Sequence, residues 1–400
     1  MRTSILLSGA AAAALVVALA ACSDENNSAA QNSAPAAKVA SASSPTVSGN
    51  VIATANTAPV IDAPIPANAV GADASATAPV DVADLPPAAQ AINEAAFPAT
   101  RAKAAPRYDP ILLRLEVLLD RAGFSPGAID GKQGTNLQRA IAGYAQSHGL
   151  ASTGALDPAL WGQITGADSG PVVQAYKITA DDEAGPFIGT PPKDYQALSK
   201  LPALSYSSPE QELAERFHMS QALLAALNPK ADFSQAGTLI VVTAPGAPHD
   251  YQATRIEVDK TNDQVRVFGA DGKLAAEYPA TVGSTERPAP SGVFAVAAVA
   301  PHPAYFYDPA RLTFTPAGAK GKLRIAPGPN NPVGSTWIAL TVPTYGIHGA
   351  PDPTEIGKQQ SHGCVRLTNW DAAELGKAVK KGVPVDFVGT EVKPKRARRA

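Results

Sequence analysis

Cys364 is one of only two cysteines in this 400-residue chain, and it lies in the run Ser361–Leu367, SHGCVRL. A thiol needs a nearby base to form thiolate at neutral pH, because its free pKa is about 8.5. Histidine is the usual partner, since it takes the proton from the thiol and returns it to a leaving amine. The chain offers two candidate bases, His362 in the same run and His348 in the upstream run GIHG. These residues predict nucleophilic catalysis by cysteine.

The backbone beside Cys364 predicts a site for an oxyanion. Gly363 has no side chain, so the chain can approach a substrate carbonyl closely at this point. N–H groups around a nucleophile stabilise the tetrahedral anion, and losing one such donor typically costs ~3–4 kcal/mol. Two other interpretations remain open, a buried structural thiol and a zinc site. The zinc ligands would be His302, His348, His362 and Cys364, whose spacing is not a common zinc pattern.

Short strands surround these motifs. Arg255–Val258 and Gln264–Phe268 alternate in polarity, and Asp271-Gly272 is a strong hairpin turn. A helix is predicted from Trp370 to Lys380, followed by a closing strand from Val383 to Val388. Several short strands with turns between them predict a mainly β domain.

The two motifs together resemble the signature of the YkuD-type L,D-transpeptidases. Two further segments agree: PSGVF at Pro290–Phe294 resembles the family's PTGxF, and GPNNPVG at Gly328–Gly334 resembles its GPNNPxG. The resemblance covers about residues 251–390. It implies a β-sandwich-like catalytic domain that cuts the bond between an L-centre and a D-residue of a peptidoglycan stem peptide. It implies no cofactor and no metal.

The resemblance assigns roles to individual residues. Cys364 would be the nucleophile that accepts the acyl group, and His348 would be the base that activates it. The carbonyl of Gly349 would orient the His348 ring, as a carboxylate does in other triads. His362 would shape the nucleophile loop, and the N–H groups of Gly363 and Cys364 would face the oxyanion.

Two residues of the same run, Ser361 and Arg366, are predicted to contact substrate. A guanidinium pairs bidentately with a carboxylate, so Arg366 could hold a carboxylate of the stem peptide. A salt bridge within the protein is the alternative role of Arg366.

Residues 107–168 resemble a three-helix peptidoglycan-binding domain. Leucines recur at helical spacing from Leu113 to Leu119, GFSPG at 123–127 breaks the first helix, and IDG at 129–131 precedes the second. The resemblance implies binding to the polymer, and a generic helical hairpin is the alternative.

Residues 169–248 are predicted to form a linker and a LysM-like module. Two short helices within 213–227, the stop signal at Asn228-Pro229 and a strand at Gly237–Val242 follow the order of that glycan-binding family. The family's first strand is poorly matched, and a plain linker subdomain is the alternative.

The N-terminus predicts export and lipid anchoring. Residues 1–21 have the basic start and apolar run of a signal peptide, and LAAC, which ends at Cys22, resembles a lipobox that directs lipidation of that cysteine. An ordinary signal peptide is the alternative. Ser23 favours sorting to an outer membrane. The Ala/Pro-rich stretch 22–106 is predicted to be a disordered tether, and 391–400 a disordered basic tail.

The charge balance, 33 Lys and Arg against 35 Asp and Glu, predicts no nucleic-acid partner. We therefore expect a multidomain, lipid-anchored periplasmic enzyme with its catalytic domain at 249–390. Its partners would be peptidoglycan stem peptides and glycan, and its acceptor another stem peptide or a lysine of an envelope protein. Two alternatives remain: a hydrolase of the same bonds, and a non-catalytic peptidoglycan anchor.

Overall fold

The computed structural model describes residues 85–97, 107–151, 153–284, 287–310, 318–359, 361 and 363–391. Cys22, the signal segment and His362 lie outside the described residues, as do most of the stretch predicted as a tether and nearly all of the basic tail. Among the described helices, none is both long and apolar enough to cross a membrane.

A helical domain follows the N-terminal stretch, with helices α2, α3 and α4 at Pro110–Arg121, Thr135–Ser147 and Pro158–Ala167. Asp109 caps α2 by accepting a hydrogen bond from the Ile111 N–H at 2.9 Å. The buried Glu116 carboxylate accepts the N–H groups of Asp130 at 3.0 Å and Gly131 at 2.7 Å. Gly131 has φ +66° and no room for a Cβ beside Tyr108, so the IDG turn requires glycine.

Part of the segment predicted as a tether is folded. Residues 85–97 contain helix α1 (Pro87–Asn93), whose Ile92 is fully buried against the helical domain. The Asn93 side chain accepts the N–H groups of Val172 at 2.8 Å and Val173 at 2.9 Å. The apolar residues Leu85, Ala89 and Ile92 share one helical face, which the Ala/Pro-rich composition obscures.

The next module is a two-stranded antiparallel sheet, β1 (Val173–Lys177) and β2 (Leu239–Thr243), with helices between the strands. Asn228 joins the last helix to β2, because its amide bonds both the N–H of Val241 at 2.6 Å and the carbonyl of the same residue at 2.7 Å. The first strand, β1, lies upstream of the two helices and the strand, within 213–242, that the sequence predicted for the module. The helices are α5 (Ala180–Ala184), α6 (Tyr195–Leu198), α7 (Pro209–Arg216) and α8 (Gln221–Leu227).

Nine of the eleven remaining strands form one sheet in the order β5-β4-β3-β13-β7-β10-β11-β12-β6. Its two end strands, β5 and β6, are joined by Ala280 alone, so the sheet curls into a barrel-like form. Helix α9 (Asn369–Ala378) and a separate hairpin of β8 and β9 pack beside it. The strands are β3 (Arg255–Asp259), β4 (Gln264–Phe268), β5 (Leu274–Pro279), β6 (Thr281–Val282), β7 (Gly292–Pro301), β8 (Tyr305–Tyr307), β9 (Leu323–Ile325), β10 (Thr336–Leu340), β11 (Gly346–His348), β12 (Val365–Arg366) and β13 (Pro384–Val388).

The helical domain contacts the outer edge of β5. The Ser125 N–H donates to the Glu277 carbonyl at 2.9 Å, and the Glu277 N–H donates to the Gly123 carbonyl at 2.8 Å. The Ser125 hydroxyl also donates to Asp371 of α9 at 3.1 Å. The GFSPG turn therefore extends the catalytic sheet beyond its last strand.

Candidate active site

Two short parallel strands position the candidate nucleophile and base. In the register of β11 and β12, Ile347 pairs with Val365 and His348 pairs with Arg366. Paired residues on neighbouring strands point to the same face, so the side chains of His348 and Arg366 lie side by side. Cys364 precedes β12 directly and is two residues from Arg366, so the pleat brings it to this face as well.

His348 is a buried side chain with a defined tautomer. Its Nδ1 lies 2.7 Å from the carbonyl oxygen of Gly349, which can only accept, so Nδ1 carries the proton and Nε2 is left basic. Trp337 stacks on the ring with centroids 5.4 Å apart and planes 22° apart. Burial, together with the Arg366 charge, lowers the pKa of His348 to about 3, although the Gly349 carbonyl opposes the shift. The imidazole is therefore neutral at physiological pH.

The Cys364 thiol is half-buried, and its sulfur lies 3.8 Å from the carbonyl oxygen of Thr344. Burial raises its pKa to about 11, against the lowering effects of a hydrogen bond from the Gly346 backbone and of the Arg366 charge. The resting site thus holds a thiol and a neutral imidazole. The proton has to move during the attack, because no ion pair is formed beforehand.

The nucleophile loop is held by Ser361, which is buried. Its hydroxyl donates to the Cys364 carbonyl at 2.6 Å and accepts the Gly363 N–H at 3.2 Å. These bonds tie the hydroxyl into the nucleophile loop, and its contact with substrate stays a prediction. Gly363 has φ +114°, and a Cβ there would lie 3.0 Å from the Tyr345 ring, so this position requires glycine.

Arg366 lies among charged and polar groups without being paired to them. Among the described residues, no carboxylate is within ion-pair distance of its guanidinium and no group accepts a hydrogen bond from it. Asp352, Glu355, Cys364 and Tyr195 are close enough to raise its pKa, whereas burial lowers that pKa overall.

Gly349 is packed against residues that the sequence did not single out. Its N–H donates to the Thr336 carbonyl at 3.1 Å, and a Cβ at Gly349 would overlap the Asn369 side chain. Asn369 accepts the Ser335 N–H at 3.0 Å and donates to the Pro329 carbonyl at 3.2 Å. Asn369 thus links α9 and the GPNNPVG segment to the carbonyl that holds His348. In the sequence, Asn369 follows Thr368 at the start of a predicted helix, which indicates helix capping and no link to His348.

His302, a candidate ligand of the zinc alternative, follows β7, and its N–H donates to the Ser335 carbonyl at 2.7 Å. Within the ranges that the structure describes, no three His, Cys, Asp or Glu residues are grouped so as to hold a metal ion.

Two family models match the chain. Residues 253–387 match YkuD, described as "L,D-transpeptidase catalytic domain", and residues 110–164 match PG_binding_1, described as "Putative peptidoglycan binding domain". The "Putative L,D-transpeptidase YkuD" of Bacillus licheniformis is 29% identical over 179 residues, 44% of this chain and 92% of that protein. The protein of the same name from Bacillus subtilis is 28% identical over 174 residues, 43% of this chain and 89% of its own length.

Solved structures show a similar but partial correspondence. L,D-transpeptidase 1 of Mycobacterium tuberculosis is 21% identical with a TM-score of 0.26, and the match covers 34% of this chain and 62% of that one. This chain therefore spans less than two thirds of that structure's length. The chain therefore contains a segment that matches the YkuD L,D-transpeptidase catalytic domain, preceded by a segment that matches a peptidoglycan-binding domain.

Proposed function

We propose that this protein is a peptidoglycan L,D-transpeptidase that forms an acyl-enzyme through Cys364. The observation that carries the proposal is the state of His348, which is neutral and whose Nδ1 donates a hydrogen bond to the Gly349 carbonyl at 2.7 Å. His348 lies on β11, which pairs in register with β12, the strand that directly follows Cys364. This arrangement supplies a base of fixed tautomer beside a thiol, as acyl transfer requires.

The first half of the reaction forms the acyl-enzyme. His348 Nε2 takes the thiol proton while the sulfur of Cys364 bonds to the carbonyl carbon between the L-centre and the terminal D-residue. The N–H group of Cys364 stabilises the oxyanion, and the Gly363 N–H, which donates to the Ser361 hydroxyl at 3.2 Å in the resting loop, would turn toward it only by leaving that bond. When the tetrahedral intermediate collapses, the carbon–nitrogen bond breaks, and His348 gives its proton to the amine of the departing D-alanine.

The second half transfers the acyl group to an acceptor amine. The amine bonds to the carbonyl carbon and loses a proton to His348, and the carbon–sulfur bond breaks. The proton then returns to Cys364, which restores the resting thiol. The acceptor is another stem peptide or a lysine of an envelope protein, and water in its place would make the enzyme a hydrolase.

The most direct test of the nucleophile is to incubate the protein with a carbapenem and measure the intact protein mass. We expect one adduct on the wild-type protein and none on Cys364→Ala. As a control for folding, both proteins should have the same thermal transition. An unmodified wild type, or an adduct that survives in Cys364→Ala, would contradict the assignment.

The transferase and hydrolase outcomes are separated by incubating the enzyme with purified sacculi and analysing the muropeptides. New cross-links at the L-centre, absent with Cys364→Ala, support transfer. Shortened stems without new cross-links would instead establish hydrolysis, and unchanged sacculi would favour a non-catalytic anchor.

We also propose that the protein is held in the periplasm by a lipid on Cys22, in the outer membrane. The LAAC sequence at the end of the apolar run supports this, and two modules upstream of the catalytic domain would keep it on the polymer. The LysM-like order of elements supports glycan binding by residues 169–248. Radiolabelled palmitate should enter the wild type and not Cys22→Ser, and fractionation should move the variant out of the membranes. Label in Cys22→Ser would reject the anchor.

A further inference from the structure

The module at 169–248 contains an insertion that reaches the catalytic domain. This insertion, residues 178–208, leaves β1 and returns at α7, and it carries α5 and α6. Its buried Leu198 and Leu204 share an apolar cluster with Ile325 of β9 and with Ala326. The insertion therefore packs on the β8–β9 hairpin of the catalytic domain as well as on its own module.

Hydrogen bonds fix the insertion against the GPNNPVG segment. The Leu204 N–H donates to the Pro327 carbonyl at 2.8 Å, and the Asn330 N–H donates to the Leu204 carbonyl at 3.0 Å. The Asn330 side chain donates to the Ser205 carbonyl at 2.7 Å. Gly328 has φ +141°, and a Cβ there would overlap the Leu204 carbonyl. This close docking gives the insertion a defined position beside the active site.

The docked insertion brings Tyr195 to the catalytic centre. Its ring meets that of Tyr305 on β8 edge to face, with centroids 6.1 Å apart and planes 87° apart. The Tyr195 phenol and the Arg366 guanidinium interact electrostatically, as do the Tyr305 phenol and the Cys364 thiol. Tyr195 thus lies near enough to Arg366 to feel its charge, and within the described ranges Arg366 has no ion-pair partner.

The Tyr195 hydroxyl is free to serve a ligand. In the described part of the chain, no group accepts a hydrogen bond from it. Burial raises its pKa above the ordinary value for tyrosine, against the effect of Arg366, so the phenol keeps its proton and remains a donor at neutral pH. A neutral donor next to a guanidinium suits an anion with two oxygens, such as a carboxylate.

We propose that Tyr195, carried by the upstream module, completes the substrate site and donates a hydrogen bond to the terminal carboxylate of the donor peptide beside Arg366. The inference rests on the proposed function, because that function supplies a donor ending in a D-amino acid. It makes the upstream module a contributor to donor specificity in addition to any glycan binding.

The test measures binding of a tetrapeptide donor to full-length Cys364→Ala protein, which cannot be acylated, by calorimetry. Two donors are compared, one with a free terminal carboxylate and one with a terminal amide. Adding Tyr195→Phe should weaken the carboxylate donor about tenfold, as expected for one hydrogen bond to a charged group. Binding of the amide donor should change by less than about twofold, because it lacks the anion that this bond recognises.

Lys200→Ala, an exposed position on the same insertion, is the matched control and should leave both donors unaffected. An equal loss for both donors with Tyr195→Phe would assign the residue a packing role only, and unchanged binding of the carboxylate donor would exclude the contact. D-Alanine release is measured separately on protein with Cys364 intact. If D-alanine is released but Tyr195→Phe leaves donor binding unchanged, only this inference is rejected. If no D-alanine is released, the proposed function is rejected.

Discussion

The His348 side chain differs from a free imidazole in ways that its neighbours explain. Burial and the Arg366 charge favour the neutral form of His348, and the Gly349 carbonyl fixes which nitrogen is basic. Cys364 is held as a thiol by the same burial. Neutral reactants avoid the cost of burying an ion pair before substrate arrives.

This protonation state predicts a broad pH profile. When the pH is below the His348 pKa of about 3, the imidazole is protonated and cannot accept a proton. When the pH is above the Cys364 pKa of about 11, the thiol has lost the proton that the leaving amine needs. Acylation by a carbapenem should therefore vary by less than about threefold between pH 5 and 9, since the reactive form dominates throughout. Stopped-flow fluorescence measures the rate, and circular dichroism at both ends checks the fold. An acylation rate that falls as the pH drops through about 6.5 would show that His348 titrates like an ordinary histidine, against this prediction.

The contact of Gly349 with Asn369 predicts a sensitive position. In Gly349→Ala the new Cβ would overlap the Asn369 side chain and displace the carbonyl that orients His348. We expect acylation to slow by about 100-fold, as for a displacement of about 1 Å at a catalytic group. Gly162→Ala is the control, because a Cβ there meets nothing and the residue lies in a helix. A rate within twofold of wild type, in folded protein, would refute the role of this carbonyl.

At the level of elements, the motifs around the nucleophile were predictable because the residues that matter are local. GIHG and SHGCVRL each lie on or beside one short strand, and the strands between 255 and 282 follow from alternation and a turn. Strand β1 and the position of Tyr195 were not predictable, since their partners lie 62 or more residues away in the sequence. Helix α1 carried a short apolar face that its Ala-rich surroundings obscured.

Strand β5 makes a specific prediction about stability. Burial first, and the negative Asp259 second, raise the pKa of Glu277 to about 7, despite opposing effects of Arg266 and Gln264. An unfolded glutamate titrates near about 4.3, so between about pH 4 and 7 the folded state holds a proton that the unfolded state releases. The free energy of unfolding should therefore fall as pH rises through this window.

Glu277→Gln should make that fall shallower, because the amide does not titrate; one group contributes at most about 1.4 kcal/mol per pH unit. Thermal unfolding between pH 5 and 8 measures the slope. Asp250→Asn, at an exposed surface position, is the matched control and should keep the wild-type slope. If Glu277→Gln also keeps it, the carboxyl is not protonated in the folded protein.

On the scale of the molecule, the described domains share buried polar contacts. Asn369 of α9 donates to Glu215 of α7 at 3.0 Å, and Gln211 donates to Asn330 at 2.9 Å. The helical domain and the module at 169–248 share a single apolar core. These contacts favour unfolding as one unit rather than domain by domain.

Calorimetry of the full chain should therefore show one transition. Asn330→Ala should lower the free energy of unfolding by about 1–3 kcal/mol, since it leaves buried partners unsatisfied. Gln163→Ala, at an exposed position of α4, should change it by less than about 0.5 kcal/mol. Two resolved transitions in the wild type would mean that the interfaces do not couple the domains.

The pairing of the GFSPG turn with β5 also bears on how the protein reaches its folded state without aggregating. An unpaired outer strand can join that of another molecule, and here residues 123–125 occupy the outer edge of the sheet. The turn precedes the sheet in the chain, so during synthesis from the N-terminus the segment that covers the edge is made before the edge strand itself. A fragment of residues 249–391 should consequently self-associate at concentrations where the full chain stays monomeric, which light scattering would reveal.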